Sequence, residues 1–288
     1  MRHATWSRLE TSPFLHGLYR NYRRLPDGLR APLRAVAAPH WHFATQLVRK
    51  ASGDRVVAGP FRGMALNLSP LSARHLLGYI LGSQELELRD PIERIIARGY
   101  ATILNVGAAD GYYAVGLAMR SRRSRVIAFE MLPELHPVIG RTAELNGVGA
   151  RIAIRGGCEI EDMQGALAAA AWSPLVFMDI EGGEMHLLDP ASVPQLCRAD
   201  ILVETHDAFV DGCTETLIKR FAGTHTIERY QARPRTLADF PPDFLRGLHR
   251  RFPRLAVDLM DERRTGLQQW LYMTAMSSAA GLPEPAGN

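Results

Sequence analysis

The sequence predicts an α/β fold, a mainly parallel sheet with helices on both faces, preceded by an N-terminal helical extension. Two observations carry this. Between residues 102 and 204, five short apolar runs alternate with helical stretches, as in chained β-α-β units. Those runs are continuously apolar rather than alternating, as strands are when both sheet faces are covered. With 288 residues, 47% hydrophobic and 22% charged, the chain has the composition of a globular protein that can bury a substantial core.

Residues 1–58 read as a helical, basic extension. Ala31 to Lys50 has helical spacing (Leu33, Val36, Phe43, Leu47), interrupted at Pro39, which predicts two short helices. Asp54 to Leu68, rich in β-type residues around Gly59-Pro60-Phe61-Arg62-Gly63, predicts a hairpin. Helices are expected at Ser72–Leu81 and Pro91–Arg98; Asp90-Pro91 supplies the start signal and Gly99 the stop. The five strands are Thr102–Val106, Val126–Glu130, Arg151–Arg155, Leu175–Asp179 and Ile201–Glu204. Helices are expected between them at Tyr113–Arg120, Glu134–Leu145 and Ile160–Ala171. The main domain runs from 59 to 275, and the small, polar, Pro-containing residues 276–288 read as a disordered tail.

The net charge is +4, and of 34 cations only Lys50 and Lys219 are lysines. Arginine bias of this kind fits a GC-rich genome, but its placement does not. Residues 1–60 hold ten cations against three acids, and residues 61–288 hold 24 against 27. A mildly acidic body is a poor match for wrapping nucleic acid, whereas a basic arm suits an anionic substrate, an acidic carrier or a second subunit. Cys158, Cys197 and Cys213 are odd in number and lack CxxC spacing, which argues against a disulfide framework or structural zinc and for a reducing, cytoplasmic location. No apolar run reaches membrane-spanning length, and the N-terminus lacks the apolar core of a secretory signal.

In a sheet of this kind ligands bind at the carboxyl ends of the strands. The first strand ends in Asn105-Val106-Gly107-Ala108-Ala109-Asp110-Gly111, a glycine turn that lets a ligand approach the backbone at a helix start. The second ends at Glu130, where a carboxylate can accept from both hydroxyls of a ribose. A nicotinamide fingerprint would need glycines at 107, 109 and 112, and the chain has Ala109 and Tyr112. The compact turn suits a nucleoside cofactor without a pyrophosphate.

Residues 102–118 resemble motif I of class I S-adenosylmethionine (SAM)-dependent methyltransferases. Phe177-Met-Asp-Ile-Glu-Gly-Gly-Glu184 is similar to the Asp-x-Glu-Gly-x-Glu signature of the FkbM type, as are blocks 143–148 and 201–207 to other parts of that family. The resemblance covers about residues 59–275. It implies a Rossmann-like, seven-stranded sheet whose last strand is antiparallel, with Thr224–Tyr230 and Gln268–Thr274 as the last two strands. It also implies SAM as cofactor and S-adenosylhomocysteine as product. Gly107, Asp110 and Gly111 would line the methionine end, with Asn105 and Tyr112 beside it. Asn105 stands where the family usually has an acid and Ala109 where it has a glycine, so Asp110 is a second candidate to neutralise the methionine amine. Glu130 would hold the ribose, Met131 would lie beside the adenine, and Gly157 and Cys158 would lie at its edge. Asp179 would face the sulfonium and the acceptor.

If the acceptor is a hydroxyl, a base or metal must lower the cost of its proton. His206 is the expected general base, with Asp179 beside it; the alternative makes His206 an orienting hydrogen-bond donor. Asp179 and Glu204 also resemble the paired acids that hold Mg2+ in catechol-type O-methyltransferases, an alternative to a metal-free site. Glu181 and Glu184, three apart at a helix start, are expected to cap that helix. His40 and His42 are read as packing or surface residues and the four tryptophans as core. Of Tyr112 and Tyr113, one should face the pocket and one the core. The reading is a methyltransferase acting on a small-molecule hydroxyl, anionic or carrier-bound, with no nucleic-acid or membrane partner and a homodimer formed through the extension. RNA methylation and a non-catalytic SAM-fold binding protein are the alternatives. Residues 12–45, 76–88 and 232–262, with Arg23 and Arg24, are the candidate acceptor surface.

Overall fold

A computed structural model describes residues 39–67, 75–170, 173–262 and 268–276. The chain divides into two compact units, residues 1–51 and 52–288, each described by itself. In the first, helix α1 (Pro39–Ser52) starts at the proline that the sequence marks as a break. The expected helix before it, Arg23, Arg24, the side chains of His40 and His42, and the tail after 276 lie outside the described residues.

In the second unit the expected hairpin at 54–68 is reduced to a single antiparallel bridge, Arg55 with Ala65. The arms still exchange Val56–Met64 (2.9 Å) and Leu66–Asp54 (2.9 Å) backbone bonds, and the outward-facing Val57 N–H donates to the Ile80 carbonyl (2.8 Å) at the end of helix α2 (Leu76–Leu81). Helix α3 (Arg89–Arg98) begins two residues before the expected Pro91. Pro91 falls in its first turn, where a missing N–H costs no intrahelical bond, and Gly99 (φ 71°) ends it as expected.

Strands β1 (Thr102–Val106), β2 (Arg125–Phe129), β3 (Ile152–Arg155), β4 (Leu175–Met178) and β5 (Asp200–Thr205) lie within two residues of their expected bounds. Strands β6 (His225–Gln231) and β7 (Gln269–Ala275) complete a seven-stranded sheet of order β3-β2-β1-β4-β5-β7-β6. β7 runs antiparallel between β5 and β6, and the other pairings are parallel. This is the seven-stranded, Rossmann-like arrangement that the resemblance implies.

Side-chain alternation divides the strands' apolar side chains between two cores. Ile103, Ala128, Phe177, Leu202 and Trp270 pack on one face with α3 and helices α4 (Tyr112–Arg120) and α5 (His136–Leu145). Leu104, Val106, Val176, Met178 and Val203 pack on the other with helices α6 (Ile160–Ala169) and α8 (Cys213–Phe221). Between those two helices lies α7 (Glu184–Leu187), a single turn. Helices α9 (Arg246–Arg251) and α10 (Pro253–Met260) precede β7. Asp200 fastens the amino end of β5, accepting from the Tyr100 hydroxyl, the Arg98 guanidinium (3.1 Å) and the Ala275 N–H (2.9 Å) of β7. The opposite, carboxyl end of the sheet is left to the polar residues.

Candidate active site

Strand order reverses between β1 and β4, and the crevice at their carboxyl ends is where ligands of such sheets sit. The β1 turn is shaped by that closeness. Gly107 has φ 80°, and a Cβ there would stand 1.8 Å from the Asp179 carbonyl oxygen, so no other residue fits. The Phe129 carbonyl accepts from the Gly107 (3.0 Å) and Ala108 (2.9 Å) amides, and Gly111 (φ 88°) leads into α4. Ala109 also lies in the left-handed region, at φ 49°. Its N–H donates to Glu130 Oε2 (2.7 Å), while Glu130 Oε1 accepts from the Leu132 N–H (2.8 Å). Glu130 thus clamps the β1 turn to the end of β2. Each of its oxygens keeps a second lone pair for a ribose hydroxyl.

Asn105 is 1% exposed, and neither its amide oxygen nor its amide nitrogen has a hydrogen-bond partner among the described residues. A buried polar group left in this state costs about 1–3 kcal/mol. It also offers one donor and one acceptor group beside the glycine turn. That chemistry fits the amino-acid end of a nucleoside-bearing cofactor, which carries both an ammonium and a carboxylate.

β4 and β5 are neighbours, so their ends meet. Asp179 follows β4, Glu204 lies within β5 and His206 follows it. His206 Nδ1 lies 2.7 Å from Glu184 Oε1, and Nε2 lies 3.6 Å from Asp179 Oδ1 and 3.9 Å from Glu204 Oε1. Glu184 is fully buried and also accepts from the Gly182 N–H (3.0 Å). Burial by itself lowers the His206 pKa. The hydrogen bond to Glu184 and the charges of Asp179, Glu184 and Glu181 outweigh it, and the net shift is upward. For Glu184, burial raises the pKa, but the His206 hydrogen bond and backbone amides outweigh it, and the net shift is downward. His206 therefore keeps its second proton to higher pH than an ordinary histidine, and acts as a free base only above that range.

The two expected helix caps divide. Glu184 takes an amide, but its main partner is His206, because α7 is one turn long and its first carboxylate faces β5. Glu181 is exposed in the left-handed region (φ 54°), outside the helix. Asp207 turns the other way: it accepts from the Thr214 N–H (3.2 Å) and the Thr214 hydroxyl at the start of α8.

Tyr112 and Tyr113 do not split into pocket and core. Both join one aromatic cluster on the sheet face shared by Asn105. Tyr112 stacks on Tyr79 (centroids 4.2 Å apart) and Tyr113 packs on Phe177 (4.4 Å). The Tyr79 hydroxyl bonds Asp110 and the Tyr113 hydroxyl donates to Glu85. A pocket opens between these rings, Phe61, Glu85 and Arg89. Next to its Glu85, the Arg235 guanidinium bridges the buried Glu87 (3.3 Å) and Glu262, and the Glu85 N–H donates to Glu262 (2.7 Å). These ties join two of the stretches expected to form the acceptor surface, 76–88 and 232–262.

Of the residues expected to border the adenine, Met131 is 75% exposed, and a Cβ at Gly157 would meet open space. Cys158 is half-buried, its thiol pushed up to about 12 by burial and then by Asp162 and Glu159, which keeps it protonated at neutral pH. All three cysteines are free. Sequence reasoning missed the Glu184–His206 contact. The two residues are 22 apart, and only the adjacency of β4 and β5 could have signalled it.

Neither a family model nor a curated protein sequence matches this chain. Solved structures show a low-scoring likeness to it. An O-methyltransferase from Bacillus cereus, in complex with S-adenosylhomocysteine, is 13% identical over 80% of this chain and 89% of its own, with a TM-score of 0.41. The O-methyltransferase TomG from Streptomyces achromogenes, involved in tomaymycin synthesis and in complex with SAM, is 14% identical over the same shares, at 0.43. The Bacillus subtilis tRNA methyltransferase TrmK is 12% identical over 65% of this chain and 64% of its own, at 0.41. At these identities and scores the likeness adds nothing to the sheet order, and the functional argument rests on the residues.

Proposed function

We propose that this protein is a SAM-dependent methyltransferase that acts on the hydroxyl oxygen of a small-molecule acceptor, anionic or carrier-bound. One observation carries the reading. Asn105, with two unpartnered buried amide atoms, lies between the Glu130-clamped glycine turn and the Asp179–Glu204–His206 cluster, at the switch point of a 3-2-1-4-5-7-6 sheet. When bound, SAM would supply a methyl group on a positively charged sulfur.

The chain's own residues would do the rest. Asn105 and Asp110 would hold the amino-acid end, the Gly107–Gly111 turn would admit it, and Glu130 would hold the ribose. Met131, Gly157 and Cys158 would border the adenine, and Tyr112 would back the turn. Asp179 and His206 would meet the acceptor where its hydroxyl must lose a proton, with Glu184 fixing the ring so that Nε2 faces them. Among the described residues no helix is long and apolar enough to cross a membrane, which is compatible with the proposed cytoplasmic location. The basic segment 1–58 would meet the anionic acceptor, its carrier or a second copy of the chain.

Isothermal titration with SAM and S-adenosylhomocysteine tests the reading directly. Micromolar binding of both, weakened about 10- to 150-fold in an Asn105→Leu variant that still folds, is the expected result. No heat and no thermal shift with either ligand would remove the methyltransferase reading.

A further inference from the structure

One aromatic ring stands in water beside the polar cluster. Phe209, on the loop that follows β5, is 66% exposed, and its ring centroid lies 5.7 Å from that of His206 with the planes 36° apart. The backbone beneath it is held from both strands. The Phe209 and Val210 amides donate to the His206 carbonyl (3.0 and 2.9 Å), Asp207 accepts from the Thr214 N–H, and Val210 packs against the core on the α6–α8 face. From the β4 side Gly182 (φ 118°) approaches closely: a Cβ there would stand 3.5 Å from the Phe209 Cβ and 3.4 Å from a Val210 methyl. The chain at 209 is therefore fixed while the ring faces outward, at the sheet end where ligands bind. Phe209 lies outside 12–45, 76–88 and 232–262, the stretches expected to supply the acceptor surface.

Reach and shape decide what such a ring can hold. A six-membered ring in an offset stack on Phe209 places its hydroxyl substituent about 4.5–5 Å from the Phe209 centroid. His206 Nε2 belongs to a ring 5.7 Å away and faces Asp179 (3.6 Å), so the hydroxyl can come within about 3 Å of that nitrogen. A flat ring also covers the whole Phe209 face, by its π-system if aromatic and by its axial C–H groups if a pyranose. An open-chain alcohol covers it with one or two methylenes only, and gains correspondingly less from leaving water.

We propose that Phe209 is the platform of the acceptor subsite and that the acceptor is a hydroxylated six-membered ring, aromatic or pyranose, stacked on it with the hydroxyl at Asp179 and His206. On the methyltransferase reading above, which this assignment needs, Phe209 selects the body of the acceptor and leaves the proton to the polar residues.

The test follows S-adenosylhomocysteine release by the full chain from SAM and three sets of carboxylate-bearing alcohols. Para-hydroxybenzoate and protocatechuate supply the aromatic ring, methyl glucuronoside the pyranose, and lactate and hydroxycaproate the open chain. SAM binding is titrated alongside. Turnover of a ring-bodied probe and not of the open-chain ones is expected, and the set that turns over separates the aromatic from the pyranose source. For the best probe, Phe209→Ala should raise KM about 10- to 50-fold, with kcat within about threefold and the Kd of SAM within about twofold. Phe209→Tyr and Phe209→Trp, which keep a ring face, should hold KM within about threefold of wild type; Phe209→Leu, apolar without a face, should not. The SAM titration also shows that each variant is folded. An unchanged KM in Phe209→Ala overturns the proposal, as does full rescue by leucine or equal turnover of the open-chain probes. Wild-type protein that binds SAM and turns over no ring-bodied probe overturns this inference alone, whereas failure to bind SAM removes the methyltransferase reading itself.

Discussion

Replacing Asn105 by leucine should make the ligand-free protein more stable and the cofactor bind more weakly. Asn105 lies in the middle of the sheet, with Ala128 and Phe177 beside it, 1% exposed and with both amide atoms unpartnered. Leucine has nearly the same shape and no polar group to desolvate. Removing an unsatisfied buried amide recovers about 1–3 kcal/mol. The same change deletes a hydrogen bond to a charged group of the bound amino acid, worth about 1.5–3 kcal/mol, or about 10- to 150-fold in Kd. Urea denaturation with and without SAM reads both effects. The variant's midpoint should rise without ligand, and the extra stability conferred by a fixed SAM concentration should shrink. A variant that is less stable than wild type and binds SAM equally well would refute the reasoning, because it would place Asn105 in a satisfied structural role. Asn105→Asp should do the opposite, tightening SAM binding through the ammonium while costing stability in its absence.

In EDTA, Glu184→Gln should cost about 1.5–3 kcal/mol by denaturant titration at pH 6 and less at pH 9. The raised His206 pKa contributes stability that is fully present below the unfolded-state pKa and is lost as pH rises through the folded one. The lowered Glu184 pKa contributes stability above its own unfolded value, lost as pH falls through the folded one. Their pair is therefore strongest in mildly acidic solution, and a cost independent of pH would contradict the assignment. Gly107→Ala should destabilise by about 2–5 kcal/mol or prevent folding, from its positive φ and the overlap with the Asp179 carbonyl; a melt within about 0.5 kcal/mol of wild type would contradict the turn geometry. Ala109→Gly should raise stability by about 0.5 kcal/mol, because relief of the left-handed alanine slightly exceeds the added chain entropy; the check is again a denaturation midpoint.

The strands were legible because each is a continuous apolar run bounded by polar turn residues, and burial on both faces makes such runs visible without any partner. Their order was not legible in the same way. No periodicity places β7 between β5 and β6; that came with the resemblance carried by residues 102–118 and 177–184. Backbone donors were invisible as well. Glu130 read as a ribose ligand from its place at a strand end; in the structure it bonds the Ala109 and Leu132 amides, and amides leave no trace in composition. Glu184 was read only in part for a related reason. Local spacing made it a cap for its own helix, but that helix is one turn long, and the strand adjacency beside it supplied a better partner.

The distribution of charge ties these parts together. Glu130, Asp179, Glu184 and Glu204 gather at the carboxyl ends of three strands, β2, β4 and β5, while the chain's excess of positive charge lies in residues 1–60. An acidic crevice attracts a positively charged sulfur, an ammonium group or a divalent cation, and repels an anionic acceptor. An acceptor with an anionic handle would therefore need cations from elsewhere to hold that handle while its hydroxyl entered the crevice. Removal of the basic segment should then raise the KM for an anionic acceptor with little effect on the Kd of SAM, and the difference should fade with salt, since exposed charges are screened over about 8–10 Å at physiological ionic strength. An arm that served only to join two copies of the chain would instead change the mass of the particle in solution, with no salt-dependent shift in KM.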